Sequence, residues 1–282
     1  MKIQFLINKI KSYRSRNNLF YILGRFKLIR QLTKKFRALV NKRKIIIHSN
    51  NNYLTDQVDL SNILEKLNKE GYCEGLKLNK DVLDKLLLLS SSSDYIDSNN
   101  RIFKSIKSID EYNNKNNKPC CLLKLTNVEL NKLANNISRD KYLLNLVNNY
   151  LGYINKIESK VQWSTVCNTT NDWREENGQT VTYHYDVHDL NFVYVFFYLT
   201  DCNVSSGAHQ IIKGSHVKKN FFTHLVGSVK QTEKDLKQYF IEDKFITIEG
   251  QKGSGFIEDT SCFHRALPPL DKPRLTLQIR YS

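Results

Sequence analysis

Residues 180–201 read TVTYHYDVHDLNFVYVFFYLTD. Two histidines and two aspartates fall between His184 and Asp189, and the chain then runs into Phe192 to Leu199, mostly aromatic and β-branched. Such a run is strongly strand-forming, so the polar cluster sits at the lip of a β-strand. On an extended segment the side chains of i and i+2 share a face. His184 and Asp186 therefore reach one point together, while Tyr185 turns away into packing. An imidazole and a carboxylate so placed are two corners of a facial triad of two histidines and one carboxylate, which leaves positions open on Fe(II).

The triad needs one more histidine. His48 follows the N-terminal segment, and His209, His216 and His224 lie in or beside turns. His264, within DTSCFHRALPPL (259–270), stands where a short strand meets a Pro-Pro turn. His188 shares the face of Asp186 and reads either as lying beside the site or facing substrate, or as a turn residue. A zinc helix built on His184 and His188 would need glutamate where Tyr185 stands, and the surroundings are β-rich. His216, in KGSH, reads as structural. One of Tyr194 and Tyr198 is a candidate to line a pocket, and Gln179 and Trp163 are weaker candidates for its mouth.

Around the quoted stretch, KVQWSTVCN (160–168), KFITIEG (244–250), GSGFIED (253–259) and RLTLQIRYS (274–282) are short β-prone segments separated by turns. Earlier, DLSNILEKLNKEG (59–71) puts Leu60, Ile63, Leu64 and Leu67 on one helical face and ends at Gly71. NKDVLDKLLLL (79–89) and DKYLLNLVNNYLGYI (140–154) read as further helices, as does TEKDLKQYFIED (232–243) among the strands. The asparagine-rich 98–119 reads as the longest loop. Helices followed by many short antiparallel strands imply an α+β chain with a sandwich or jelly-roll core. A jelly roll sets its second and seventh strands side by side, which favours His264 as the third corner. Arg274 opens the last strand, and Thr276 faces the same way. A guanidinium with a neighbouring hydroxyl is a grip for a carboxylate.

HxD, a distant histidine and an arginine ten residues beyond it together resemble the Fe(II)- and 2-oxoglutarate-dependent oxygenases on the double-stranded β-helix. Within them the chain is similar to the phytanoyl-CoA dioxygenase family. YHYD, FVYVFFYLTD, SGAHQIIKGSH and FHRALPP…RLTLQ resemble successive family blocks in order, and LEKLNKEGYCEGLKL resembles the opening segment. The resemblance implies an oxygenase domain over 51–282, with helical support at about 57–155, a jelly-roll core at about 160–282, and a basic arm over 1–50 outside it. It implies that His184, Asp186 and His264 hold Fe(2+), and that Arg274 binds the distal carboxylate of 2-oxoglutarate with support from Thr276. Ala266 stands where some relatives carry serine. Retention of Asp186 implies hydroxylation rather than halogenation, with O2 and a small-molecule or lipid-linked substrate. The competing expectation is a catalytically silent jelly-roll binding module held to a membrane or partner by its arm. A zinc hydrolase would leave Arg274 unexplained.

The net charge of +15 is local. Residues 1–45 hold 14 of the 43 basic residues and no acid, the first being Asp56, which leaves 29 basic against 28 acidic residues elsewhere. The body of the chain is near neutral and offers no nucleic-acid surface. In the arm, Ile, Leu and Phe interleave with Lys and Arg at helical spacing, in one helix or two broken near Asn17 and Asn18. Three expectations follow for it: a packed helix with a solvated basic face, a peripheral contact with an anionic membrane, or an organelle-targeting segment. The six cysteines form no CxxC pair and read as reduced thiols of an intracellular, cytoplasmic protein.

Overall fold

A computed structural model of the chain describes residues 23–24, 26–40, 52–55, 59–187, 190–219 and 230–282. His48, His188, Asp189 and His224 lie outside the described residues, as does most of the arm. The described part opens with α1 (Lys27–Val40), followed by α2 (Leu60–Glu70), β1 (Tyr72–Lys77), α3 (Lys80–Ser91), β2 (Asp94–Asp97) and β3 (Ile102–Phe103). Next come α4 (Ile106–Lys115), β4 (Leu122–Thr126), α5 (Val128–Ile137), α6 (Lys141–Leu151), β5 (Ile157–Ser164) and α7 (Asn171–Glu176). The last elements are β6 (Val193–Tyr198), β7 (His209–Ile212), α8 (Glu233–Leu236), β8 (Phe245–Ile248), β9 (Ser254–Glu258), β10 (His264–Ala266) and β11 (Arg274–Tyr281).

Eight strands form one antiparallel sheet in the order β1-β9-β6-β11-β5-β4-β2-β3, and β10-β7-β8 form a smaller one. The two sheets are the walls of a jelly roll. The period of two in β11 sorts its side chains. Leu275, Leu277, Ile279 and Tyr281 join the core shared with the helices, with Val193, Val195 and Phe197 of β6 and Ile63, Leu67, Leu143 and Val147 of α2 and α6. Arg274, Thr276, Gln278 and Arg280 face the other way, into a cavity between the sheets. One strand thus carries a packed face and a chemical face.

Three local expectations are corrected. Segment 98–119 is not a loop: it holds β3 and α4, whose start is capped by Ser105 and Ser108. Ile109 is the buried anchor of α4, and Tyr112, edge to face with Phe103 at 5.4 Å, packs beside it, so two residues among polar ones dock the helix. The region expected as helical support also supplies β1 to β4, because β1 pairs with β9 and β4 with β5. The helix read over 232–243 shrinks to Glu233–Leu236 and a 3₁₀ turn at Glu242–Lys244.

The arm expectation is partly inverted. α1 packs on the domain through its basic side, not its apolar one. Arg30 pairs with Asp259 at 2.6 Å, Lys34 lies over the Tyr150 ring and Arg37 over the Tyr153 ring, each at 4.6 Å. Among the described residues no helix is long and apolar enough to cross a membrane.

Two glycines are placed by close approach. Gly71 ends α2 at φ 85°, and a Cβ there would meet Cys262 Sγ at 2.2 Å. At Gly255 in β9 a Cβ would lie 2.4 Å from Phe197 Cδ1 and 2.6 Å from the Phe196 carbonyl oxygen. Backbone cannot step aside as a side-chain tip can. Gly255→Ala is expected to destabilise the protein by about 1–3 kcal/mol through overpacking, read as a lower denaturation midpoint in urea.

Candidate metal and carboxylate site

The site is assembled by one backbone pairing. His184 N–H donates to His264 O at 3.0 Å and His264 N–H donates to His184 O at 2.8 Å, an isolated antiparallel bridge that adds 183–186 to the edge of the small sheet. Asp186 N–H donates to Thr260 O at 2.8 Å, continuing the contact. Tyr183, Tyr185 and Val187 point outward into a cluster with Ile212, Leu236 and Phe263. His184 and Asp186 point inward, as the i, i+2 spacing requires.

His184, Asp186 and His264 present ligand atoms that all lie within 4.8 Å of one another. Asp186 stands between the imidazoles, with Oδ1 3.8 Å from His184 Nε2 and Oδ2 3.8 Å from His264 Nε2. The other ring nitrogens are committed. His184 Nδ1 lies 3.1 Å from Thr182 O and His264 Nδ1 lies 3.0 Å from Cys262 O. A carbonyl can only accept, so each Nδ1 carries the proton and each Nε2 turns a lone pair toward Asp186. Such fixing of the tautomer is how proteins orient metal-binding imidazoles. Burial lowers the pKa of both rings, with Asp186 partly offsetting it at His184, and His264, beside the His184 ring, is lowered to about 4. Both are therefore neutral at pH 7 and need lose no proton to bind a cation.

The three residues line a cavity of about 360 Å³ shared with Arg274 and Thr276, with Tyr194 and Tyr198 of β6, and with Gln179 and Ala266. Trp163 is not at the mouth; it is buried against Tyr95. Arg274 is only 7% exposed. Among the described residues its guanidinium makes only a long 3.5 Å bond to Ser164 Oγ, its Nε has no hydrogen-bond partner, and no carboxylate pairs with it. A buried guanidinium left in that state calls for an anion.

Two residues that sequence reasoning passed over stand against the triad. His209 Nε2 lies 2.6 Å from Glu258 Oε2, and Glu258 Oε1 lies 3.7 Å from His264 Nδ1. Burial pushes Glu258 up to about 8 and His209 down to about 3, so at neutral pH the pair holds one proton and no net charge. Glu258 is visible in GSGFIED only as strand-end polarity, and His209 had looked like a turn residue. His216 is structural as expected: Nε2 lies 3.1 Å from Asn68 O, and Nδ1 accepts from the Cys262 thiol at 3.3 Å.

The turn that carries His264 is pinned from below. Asp259, buried, accepts from Tyr150 Oη at 2.7 Å, Ser261 N at 3.0 Å and Arg30 Nη2 at 2.6 Å. Burial alone would raise Asp259, but Arg30, His216 and the hydrogen bonds outweigh it and hold its carboxyl well below the usual carboxylate range.

A jelly roll with a His-Asp-His cluster and an unpaired arginine in one cavity is the arrangement of the non-haem iron oxygenases. The model of the family "Phytanoyl-CoA dioxygenase (PhyH)" matches residues 100–270, more than half of the chain, and the protein belongs to that family of Fe(II)- and 2-oxoglutarate-dependent oxygenases. No curated protein matches it significantly. Among solved structures it is similar to AviO1 from Streptomyces viridochromogenes, at 14% identity and a TM-score of 0.50 over 81% of this chain and 96% of that one. It is also similar to the epimerase SnoN of nogalamycin biosynthesis, in complex with Fe3+, alpha ketoglutarate and nogalamycin RO, at 14% identity and a TM-score of 0.52 over 79% and 82%. HygX from Streptomyces hygroscopicus, with nickel, 2-oxoglutarate and hygromycin B bound, gives 10% identity and 0.50 over 78% and 86%. At these identities the likeness is one of fold.

Arg30→Met leaves Asp259 buried with its hydrogen bonds from the Tyr150 hydroxyl and the Ser261 turn but without its partner guanidinium. The expected loss is about 3 kcal/mol, as for removal of one partner of a buried pair. Because the folded-state pKa of Asp259 is depressed, its stabilisation is present above the ordinary aspartate value near 4 and lost as the pH falls through the lower folded value. Thermal unfolding across the acid range should show a shallower loss for Arg30→Met than for the wild type.

Proposed function

We propose that the protein is a hydroxylase that uses Fe(II), 2-oxoglutarate and O2 to oxidise a C–H bond of a small-molecule or lipid-linked substrate. The observation that carries this reading is the pair of Nε2 lone pairs and the Asp186 carboxylate converging in the same cavity as an unpaired, buried Arg274. His184, Asp186 and His264 would hold the metal on one face, a donor set that suits Fe(II) and leaves the remaining positions open. Iron with 2-oxoglutarate supplies the oxidising power, the cosubstrate leaving as succinate and CO2.

The chain's own residues set the conditions. Thr182 O and Cys262 O hold the imidazoles in the binding tautomer. Arg274 offers a fork of donors to the distal carboxylate of 2-oxoglutarate, and Thr276, two residues along on the same face, offers a hydroxyl beside it. Ala266, where some relatives carry serine, adds no donor, so the hydroxyl duty falls to Thr276. Tyr198 and Phe196, paired with Thr276 and Gln278 of β11, form an aromatic wall that keeps water from the cosubstrate end, while Tyr194, opposite Arg280, stands at the other end.

His184→Ala, Asp186→Ala and His264→Ala are each expected to abolish bound iron and turnover of 2-oxoglutarate to succinate while thermal unfolding remains cooperative. Iron retained by all three variants, read by metal analysis, would refute the ligand assignment. Arg274→Ala should keep iron but weaken 2-oxoglutarate binding roughly 30- to 150-fold, for loss of about 2–3 kcal/mol of charge-assisted contact. Iron binding with no succinate formed under any condition would favour the silent binding module.

A further inference from the structure

The face of the large sheet that holds Arg274 continues past it and stays cationic. Along β11 the inward positions after Arg274 are Thr276, Gln278 and Arg280, and β5 sets Lys160 opposite Gln278. Lys160 thus stands about 13 Å along the sheet from Arg274, four residues of strand rise away. Here the cavity opens into a second hollow of about 220 Å³ that Lys160, Gln278, Arg280 and Tyr194 share with it, and Lys124 stands at its rim. Among the described residues the only acid lining that hollow is Glu158, already engaged by Arg280 and by Lys156, the latter at 3.0 Å. Lys160 has no hydrogen bond or ion pair among the described residues, although it is partly buried and burial lowers its pKa against the pull of Asp186. A half-desolvated ammonium without a partner costs free energy that a ligand anion would recover.

We propose that Lys160, with Gln278 and Arg280 beside it, binds an oxyanion of the substrate, a carboxylate or a phosphate, at the end of the cavity away from Arg274. The inference rests on the hydroxylase reading and adds a substrate class to it: an acidic small molecule that enters anion-outward, with its other end toward His184, Asp186 and His264. With 2-oxoglutarate held at Arg274, the two anions sit at opposite ends of one strand face and do not compete.

The test uses full-length protein loaded with Ni(II) and 2-oxoglutarate, so that Arg274 is occupied and no turnover occurs. Inorganic phosphate and acetate are titrated separately and followed by calorimetry, with 2-oxoglutarate affinity measured on its own. The expected result is that at least one of the two anions binds to the wild type. Lys160→Met should weaken it about tenfold or more, Lys160→Arg should retain it, and 2-oxoglutarate affinity should be unchanged in both. The tighter of phosphate and acetate identifies the substrate group. Equal binding to wild type and Lys160→Met, or none to the wild type, would overturn the anion subsite and leave the metal reading standing. Loss of 2-oxoglutarate affinity in Lys160→Met would also overturn it, by assigning Lys160 to the cosubstrate. A wild type that holds neither Ni(II) nor 2-oxoglutarate would instead defeat the hydroxylase reading.

A second inference rests on α1. Because Arg30, Lys34 and Arg37 face the domain, Leu28, Leu32, Phe36, Leu39 and Val40 look outward, each 62–75% exposed. A contiguous apolar stripe of this kind marks an interaction surface. It lies within the first 45 residues, which hold no acid and, besides the three basic groups turned to the domain, 11 of the 14 basic residues, so its occupant must accept both apolar insertion and positive charge. We infer that α1 lies in the headgroup boundary of an anionic membrane, pinned to the domain by Arg30 and Asp259. The wild type should co-sediment with vesicles of phosphatidylcholine mixed with phosphatidylserine and not with phosphatidylcholine alone. Leu32→Asp/Phe36→Asp, at exposed positions, should lose that binding while keeping its unfolding temperature. Equal sedimentation of the two proteins, or none by either, would overturn the inference. So would a dimer in sedimentation velocity that the variant abolishes, since a second copy would then cover the stripe.

Discussion

Two backbone hydrogen bonds between His184 and His264 hold the site together. Each residue donates to the other, so neither backbone can shift relative to its partner without breaking the pair, and the Nδ1 contacts with Thr182 O and Cys262 O set the rings upon it. The residues are 80 positions apart in the chain, and no local preference brings them together. What makes the pairing stable is packing on its outer side, where Tyr185 meets Phe263 edge to face at 5.5 Å. The alternation that sends Tyr185 and Phe263 outward sends His184, Asp186 and His264 inward. Strand register and ligand geometry are thus one constraint.

The large sheet applies the same rule at greater length. Its outer face is buried against helices and fixes its position. Its inner face is therefore free to carry groups that cost stability: an unpaired Arg274, a buried Glu258 that meets His209 of the small sheet, a half-buried Lys160. Local rules are broken on this face, as expected where function sets the residue.

The site was legible where a period of two decides it. His184 with Asp186, and Arg274 with Thr276, could be read from spacing alone. His264 needed knowledge of which strands a jelly roll sets side by side. Lys160 escaped notice, although the polar positions 160, 162 and 164 were already alternating in KVQWSTVCN. The early strands were hidden for a different reason. β1 (YCEGLK) has no clean alternation, with Gly75 at φ 107° and a register shift between Glu74 and Leu76. α4 hid behind asparagines. In the arm, amphipathy announced two faces but not which one meets the domain. That choice is made by Asp259, an acid 229 residues from Arg30, and no pattern in the arm itself refers to it.

The position of β11 bears on how the chain is made. It lies between β5 and β6 in the middle of the eight-stranded sheet, yet it is synthesised after every strand of that sheet. Until it emerges, β5 and β6 each leave an edge with unpaired peptide groups beside Val161, Val195 and Phe197, residues apolar enough to recruit a strand from another chain. Arg274 is absent until residue 274 is made, and the central pairing is incomplete until residue 281 follows. Production of the protein therefore has a late vulnerable interval, during which translation pauses or premature release would yield aggregates rather than partly active enzyme.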